Sequence, residues 1–221
     1  MHALLQDIRL VAFDLDGTLI DSVPDLAAAV DAILIELGMV AVGEAKVRDW
    51  VGNGSRKLVE RALESVLERM PEAALLEAAH ESFLRHYHAA PCERTRVYPG
   101  VREALDELES RSIILTLITN KPAAFIDPIL EALELRHYFR ATLGGDSLSE
   151  KKPHPAPLLH LAARYDIDPS RCLMVGDSRH DVEAGKRAGF RTLAVPYGYN
   201  HGEPVASSEP DGVVESLGEL V

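Results

Sequence analysis

Apolar residues follow two rhythms along this chain, and the change between them suggests its organisation. Ile8 to Phe13 (IRLVAF) is a short run, apolar except at Arg9, with the length and composition of a buried strand. Ile113 to Ile118 (IILTLI), Leu173 to Val175 and Thr192 to Val195 read the same way, and Ala141 to Leu143 reads as a short strand. Helical periodicity separates these runs: Val101 to Leu108, Pro122 to about Leu133, Ala156 to Tyr165 and Asp181 to Ala188.

The stretch after the first run differs. Ser22 before Pro24 reads as a helix N-cap, with the helix running to about Leu37 and stopped by Gly38. Leu58, Val59, Ala62, Leu63, Val66 and Leu67 repeat at helical spacing, as do Leu75, Leu76, Ala79, Phe83 and Tyr87 after a break at Pro71. Alternating strands and helices predict a parallel sheet covered on both faces. The sequence therefore predicts a Rossmann-like α/β core, residues 1–21 and 99–221, with an all-helical cap inserted over 22–98. The segment from Gly202 to Pro210 reads as polar loop.

Composition narrows the function classes. The formal net charge of the 221 residues is −12, with no long basic run, which argues against a nucleic-acid partner. No apolar stretch approaches the ~20 residues that span a bilayer, and no signal peptide is read at the N-terminus. Cys92 and Cys172 do not form a Cys-x-x-Cys pair, so a reducing, cytoplasmic setting is expected. Oligomeric state, monomer or dimer, is left open. An acidic protein that binds an anion needs a local cationic site, from side chains or a metal ion.

Ligands of open α/β sheets bind at the carboxyl ends of strands. Asp14-Leu15-Asp16, Thr119-Asn120 and Gly176-Asp177 follow three predicted strands, and Lys151-Lys152-Pro153 follows a fourth. Asp14, Asp16 and Asp177 in one crevice would repel one another unless a cation joined them. Magnesium suits such a set, because it takes oxygen ligands and binds through one or two carboxylates plus substrate phosphate. Lys152 and the Thr119 hydroxyl would complete a phosphate cradle. An ionised aspartate can then attack phosphorus once its charge is offset. Plainer roles compete: Thr119 and Asn120 as caps of the helix opened by Pro122, Asp181 as an N-cap, and Lys151 as a solvated charge.

These motifs resemble those of the haloacid dehalogenase superfamily. Asp14-Leu15-Asp16-Gly17-Thr18 is similar to its DxDGT motif, Thr119-Asn120 to its second, Lys152-Pro153 to its third, and Gly176-Asp177-Ser178-Arg179-His180-Asp181 to its fourth. The resemblance covers nearly the whole chain and implies a magnesium-dependent phosphatase of small phosphorylated metabolites. It implies Asp14 as nucleophile and metal ligand, and Asp16 as acid and base whose backbone carbonyl also meets the metal. It implies Gly17, Thr119, Asn120 and Lys152 around the phosphoryl group, Asp177 on magnesium, and Asp181 behind that ligand set.

A narrower resemblance, to the bacterial phosphoglycolate phosphatases, rests on Trp50-Val51-Gly52-Asn53-Gly54, Lys151 to Pro155 and Tyr197 to Glu203. It implies hydrolysis of 2-phosphoglycolate. Gly52-Asn53-Gly54 precedes a helix predicted near Ser55, whose free N–H groups attract anions. Asn53, Gly54 and Arg56 are therefore the candidates for the substrate carboxylate. Another phosphometabolite phosphatase, a phosphosugar mutase and a non-catalytic binding protein are the competing readings. His80, His86 and His88 are expected to be exposed.

Overall fold

The computed structural model describes residues 2–220. Six parallel strands form the main sheet: β1 (Leu10–Phe13), β4 (Ile114–Ile118), β5 (Ala141–Leu143), β6 (Cys172–Gly176), β7 (Arg191–Ala194) and β8 (Gly212–Val213). Their spatial order is β5-β4-β1-β6-β7-β8. The chain winds outward from β1 to β4 and β5, then returns to the other side of β1 with β6. The order therefore reverses between β1 and β6, and a crevice opens there at their carboxyl ends.

The strands read as continuous apolar runs because both faces of the sheet are covered. Alternate residues enter different cores. Val11, Phe13, Leu115, Leu117, Leu173 and Val175 join one apolar cluster. That cluster includes residues of α5 (Val101–Ser110) and α6 (Ile126–Ala132). Leu10, Ala12, Ile118, Cys172 and Met174 face the other way, with α7 (Ala156–Arg164) and α8 (Arg179–Ala188). Thr116, fully buried in β4, donates its hydroxyl to the Val11 carbonyl at 3.3 Å, so this polar side chain is satisfied within the sheet.

Four helices occupy the stretch between the first acidic loop and Tyr98: α1 (Val23–Glu36), α2 (Glu44–Arg48), α3 (Ser55–Leu67) and α4 (Ala73–Ala89). α1 packs on α2 and α4, and α3 packs on α4. The stretch is not wholly helical. β3 (Arg96–Val97) pairs antiparallel with β2 (Ile20–Asp21), tying the two ends of the excursion together. A strand of two residues is too short to carry a readable alternation. The same holds for β8, and the segment expected to be loop contains a short 3-10 turn, Val205–Ser208. Ser22 also departs from expectation: no side-chain cap bond forms at α1, and its hydroxyl donates to Asp16 instead.

Candidate active site

The first acidic loop continues the sheet by one residue. The Asp14 N–H donates to the Val175 carbonyl at 2.9 Å, which seats Asp14 directly beyond β1 and beside β6. Leu15 is fully buried and anchors the loop, so Asp14 and Asp16 project on either side of it. Gly17 then turns with φ +93°, and a Cβ there would lie 2.3 Å from Oδ2 of Asp177. Only glycine meets both demands. Its N–H is taken by the Ile20 carbonyl at 2.9 Å, so Gly17 shapes the turn and that N–H is not presented to a phosphoryl group.

Two buried lysines divide the two aspartates between them. Lys152 Nζ lies 2.6 Å from Asp14 Oδ1 and 2.6 Å from Asp181 Oδ1. Lys121 Nζ lies 2.9 and 3.0 Å from the two oxygens of Asp16, which also accepts from Ser22. Asp177 accepts from the Thr18 hydroxyl at 3.1 Å and from the Tyr199 N–H. Asp181 does two things at once: Oδ1 takes Lys152, while Oδ2 accepts from the Ser178 N–H and hydroxyl at the start of α8. Its N-terminal capping role and its place in the site are thus the same geometry.

Asp14, Asp177 and Asp181 are buried, and one oxygen of each falls within 4.8 Å of the others. The Asp16 carboxylate stands outside this group, facing Lys121. Side-chain oxygens thus cluster at Asp14, Asp177 and Asp181, with Asp181, expected behind the ligand set, standing within it, while the Asp16 part expected in that set was its backbone carbonyl. Burial, with the charges of Asp181 and Asp16 adding to it, pushes the Asp14 carboxyl up to about 7, against the pull of Lys152. Burial and the charges of Asp14 and Asp181 hold Asp177 well above the usual carboxylate range. Burial opposes the Lys152 ammonium, but Asp14 and Asp181 outweigh it and hold it above the ordinary lysine range. One lysine among three carboxylates leaves negative charge in a dry site, and a hard divalent cation with oxygen preference fits that charge and donor set.

A cavity of about 50 Å³ lies above these groups, lined by Asp14, Asp16, Thr119, Lys121, Lys152 and Asp177 among others. Its other wall is helical: Leu26, Leu58, Phe83 and Tyr87, with Gly54 and Ser55 at the start of α3. Thr119 is buried, and its oxygen accepts from the Lys121 N–H at 3.1 Å. Asn120 acts as a strut, and its buried Oδ1, at the cavity wall, has no hydrogen-bond partner among the described residues. Its Nδ2 donates to the carbonyls of Gly52 at 2.9 Å and Lys152 at 3.0 Å, joining the helical segment to the lysine loop.

The remaining candidates separate. Asn53 Nδ2 meets His180 Nε2 at 2.7 Å, and Lys151, exposed as expected, donates to the Asn53 carbonyl at 3.0 Å. Asn53 therefore ties the helical segment to the first turn of α8 and to the lysine loop, and is not among the residues lining the cavity. Arg56 does not line it either: its guanidinium is exposed and pairs with Glu77 at 3.5 Å. Arg56 stands within the first turn of α3, among the N–H groups that precede the Leu58 N–H to Gly54 carbonyl bond, but its side chain turns outward to Glu77. His80 and His86 are half-buried rather than exposed, bonded to Ser55 at 2.9 Å and Glu36 at 2.7 Å.

Sequence reasoning passed over Lys121 and Tyr199. Lys121 stands next to Asn120 in a recognisable strand-end cluster, but nothing in its neighbours says that it is buried. Tyr199 donates its hydroxyl to Asp21, accepts from the Ser22 N–H at 3.1 Å, and stacks under Arg48 with the guanidinium 5.3 Å from the ring centroid. Tyr197 donates to the Thr18 carbonyl at 2.8 Å. This loop packs on the acidic loop from a distance of nearly the whole chain.

Comparisons with known proteins agree with this arrangement. A chain of Haemophilus somnus described as a predicted phosphoglycolate phosphatase superposes with a TM-score of 0.93 at 36% identity, covering 97% of this chain and 96% of that one. The phosphoglycolate phosphatase of Nitrosococcus oceani is 44% identical over 98% of this chain and 96% of its own length. That of Pseudomonas putida is 48% identical over 96% of this chain and 78% of its own. The profile of the haloacid dehalogenase-like hydrolase family matches residues 11–195. With the Asp14-Leu15-Asp16 loop, the buried lysine and the carboxylate trio meeting where β1 and β6 part, the chain belongs to the haloacid dehalogenase-like hydrolases.

Proposed function

We propose that this chain is a phosphoglycolate phosphatase that works through a phospho-aspartate on Asp14. The observation that carries the reading is the pairing of Asp14 with Lys152 at 2.6 Å beside two further buried carboxylates, under a small enclosed cavity. Relatives bearing that name at 44% and 48% identity support the substrate.

Asp14 attacks phosphorus, and the P–O bond to the leaving glycolate oxygen breaks. Asp16 gives that oxygen its proton, then takes one from the water that hydrolyses the phospho-aspartate. Lys152 and the Thr119 hydroxyl hold the phosphoryl oxygens as charge shifts between them. Asp14, Asp177 and Asp181, with the Asp16 backbone carbonyl, would hold a magnesium ion, which offsets the negative charge that nucleophile and phosphate bring together. Residues 22–98 act as a cap whose Gly52-Asn53-Gly54 loop closes the cavity and excludes bulk water. Two free thiols, Cys92 and Cys172, support a reducing cytoplasm, and among the described residues no helix is long and apolar enough to cross a membrane.

The test is magnesium-dependent phosphate release from a panel of phosphomonoesters. The reading expects 2-phosphoglycolate to show the highest kcat/KM. A clear preference for a sugar phosphate or a nucleoside monophosphate would overturn it.

A further inference from the structure

We infer that Lys121 and Tyr87 form the subsite for the anionic, non-phosphate end of the substrate and set the preference for a negatively charged leaving group. This deepens the reading of Asp16 as the group that protonates the leaving oxygen, and rests on it.

If Asp16 meets the leaving oxygen, the leaving group lies on the Asp16 side of the cavity, away from Lys152. Lys121 is the cation on that side. Only 6% of it is exposed, it lines the cavity, and its Nζ touches both Asp16 oxygens. An ammonium has three donors. Two are engaged by Asp16 and the third is turned toward the Tyr87 hydroxyl, so a substrate atom seated between Lys121 and Tyr87 would meet both.

Tyr87 supplies the second, independent observation. It is 1% exposed, lines the same cavity from α4, and its hydroxyl faces the Lys121 ammonium, a donor only, so its O–H has no acceptor among the described residues. The Lys121 ammonium sits 4.9 Å from its ring centroid. Phe83 and Phe125 pack against that ring with centroids at 5.7 and 4.9 Å, so the phenol is fixed in direction. Burial pushes the hydroxyl up to about 12, which keeps it a donor at neutral pH. A buried donor without an acceptor is unfavourable until a ligand supplies one.

With Asp16 carrying the proton that it delivers, a cation and a hydroxyl whose proton lacks an acceptor, set among Leu26, Leu58, Phe83 and Phe125, match a compact carboxylate. The apolar surround strengthens the charge interaction and leaves little room for a larger group. A neutral hydroxyl in the same place would not repay removing an anion-seeking pair from water. Arg56, the sequence candidate for this task, points away.

The experiment compares 2-phosphoglycolate with 2-hydroxyethyl phosphate, of similar size but uncharged at the leaving end, and 2-phospholactate as a second carboxylate ester. The wild type, Lys121→Met and Tyr87→Phe are assayed with magnesium. The expected result is a fall of about 10- to 100-fold in the kcat/KM ratio of charged to uncharged ester for Lys121→Met, carried mainly by KM. Tyr87→Phe, which removes one oxygen atom and touches neither aspartate, is expected to lower the ratio by about 3- to 10-fold. Equal losses on both esters in Tyr87→Phe would overturn the inference even if Lys121→Met fails to fold. A wild type that prefers phospholactate, with that preference erased by both variants, would overturn the phosphoglycolate reading and leave the subsite standing. A wild type indifferent to charge would overturn the subsite.

Discussion

The Lys121 ammonium lies 2.9 and 3.0 Å from the two carboxylate oxygens of Asp16, while Lys152 takes Asp14 at 2.6 Å. Two aspartates separated by a single residue thus meet different cations on different sides of one loop. That split gives two residues of one type different surroundings, as the proposed roles of nucleophile and of acid and base require.

The division predicts different failures. Asp14→Asn should lose about four to six orders of magnitude in kcat with its circular dichroism unchanged, because no nucleophile is left. Asp16→Asn should be about 10²- to 10⁴-fold slow on phosphoglycolate. On p-nitrophenyl phosphate, whose leaving group needs no proton, it should give a burst of nitrophenolate equal to the enzyme present. Mass spectrometry would then find phosphate on Asp14. Absence of both burst and adduct would count against the assignment.

Removing metal should make stability depend on pH in a definite direction. In the metal-free protein Asp14 is raised to about 7 by burial and nearby carboxylates, and Asp177 is raised well above its ordinary value. A carboxyl raised on folding contributes stability below its unfolded value and loses it as pH climbs through the folded value. His180, lowered to about 4 chiefly by burial, acts in the lower window, where stability falls as pH drops below about 6.5. Metal-free protein should therefore lose melting temperature as pH rises from about 6.5 to 8, by at most ~1.4 kcal/mol per pH unit for each group. Added magnesium should restore it, most strongly at the alkaline end. A pH-independent gain would argue against a site built on these carboxylates.

Lys152→Met should destabilise by about 3–5 kcal/mol near neutral pH, since it leaves Asp14 and Asp181 buried without their shared cation. The loss should shrink on acidification, as the carboxyls take up protons and no longer need a partner. Chemical denaturation at two pH values measures it.

Gly17→Ala should damage both fold and site. The new Cβ would lie 2.3 Å from Asp177 Oδ2 and 2.9 Å from the Tyr199 ring, at a φ of +93° that alanine avoids. About 2 kcal/mol or more of stability should be lost, with weaker magnesium binding, read by thermal melts with and without the metal.

The apolar runs that became β1, β4, β5, β6 and β7 were readable because a parallel sheet buried on both faces demands unbroken hydrophobic strands. The acidic and basic clusters were readable because they close those runs. β3 and β8 were not, since strands of two residues owe their pairing to neighbours supplied by the fold. Arg56 and Lys121 mark the limit most clearly. Both are lysine-or-arginine positions beside a recognisable motif, and local sequence ranks Arg56 the better anion ligand because it follows a glycine loop at a helix start. Whether a side chain faces a cavity or solvent depends on what packs against it, and the partners of Lys121 come from Asp16 and Tyr87.

Sequence alone therefore determined the fold class, the acidic loop that ends β1 and the set of charged groups at the strand ends, because each is encoded in contiguous residues and their period. Tertiary structure decided the pairing: Lys152 to Asp14 and Asp181, Lys121 to Asp16, Asn120 and Asn53 to the seam, and Tyr199 to the acidic loop. Those choices arise from burial and from contacts that span from 29 to 178 residues of chain, where the low dielectric makes each partner matter.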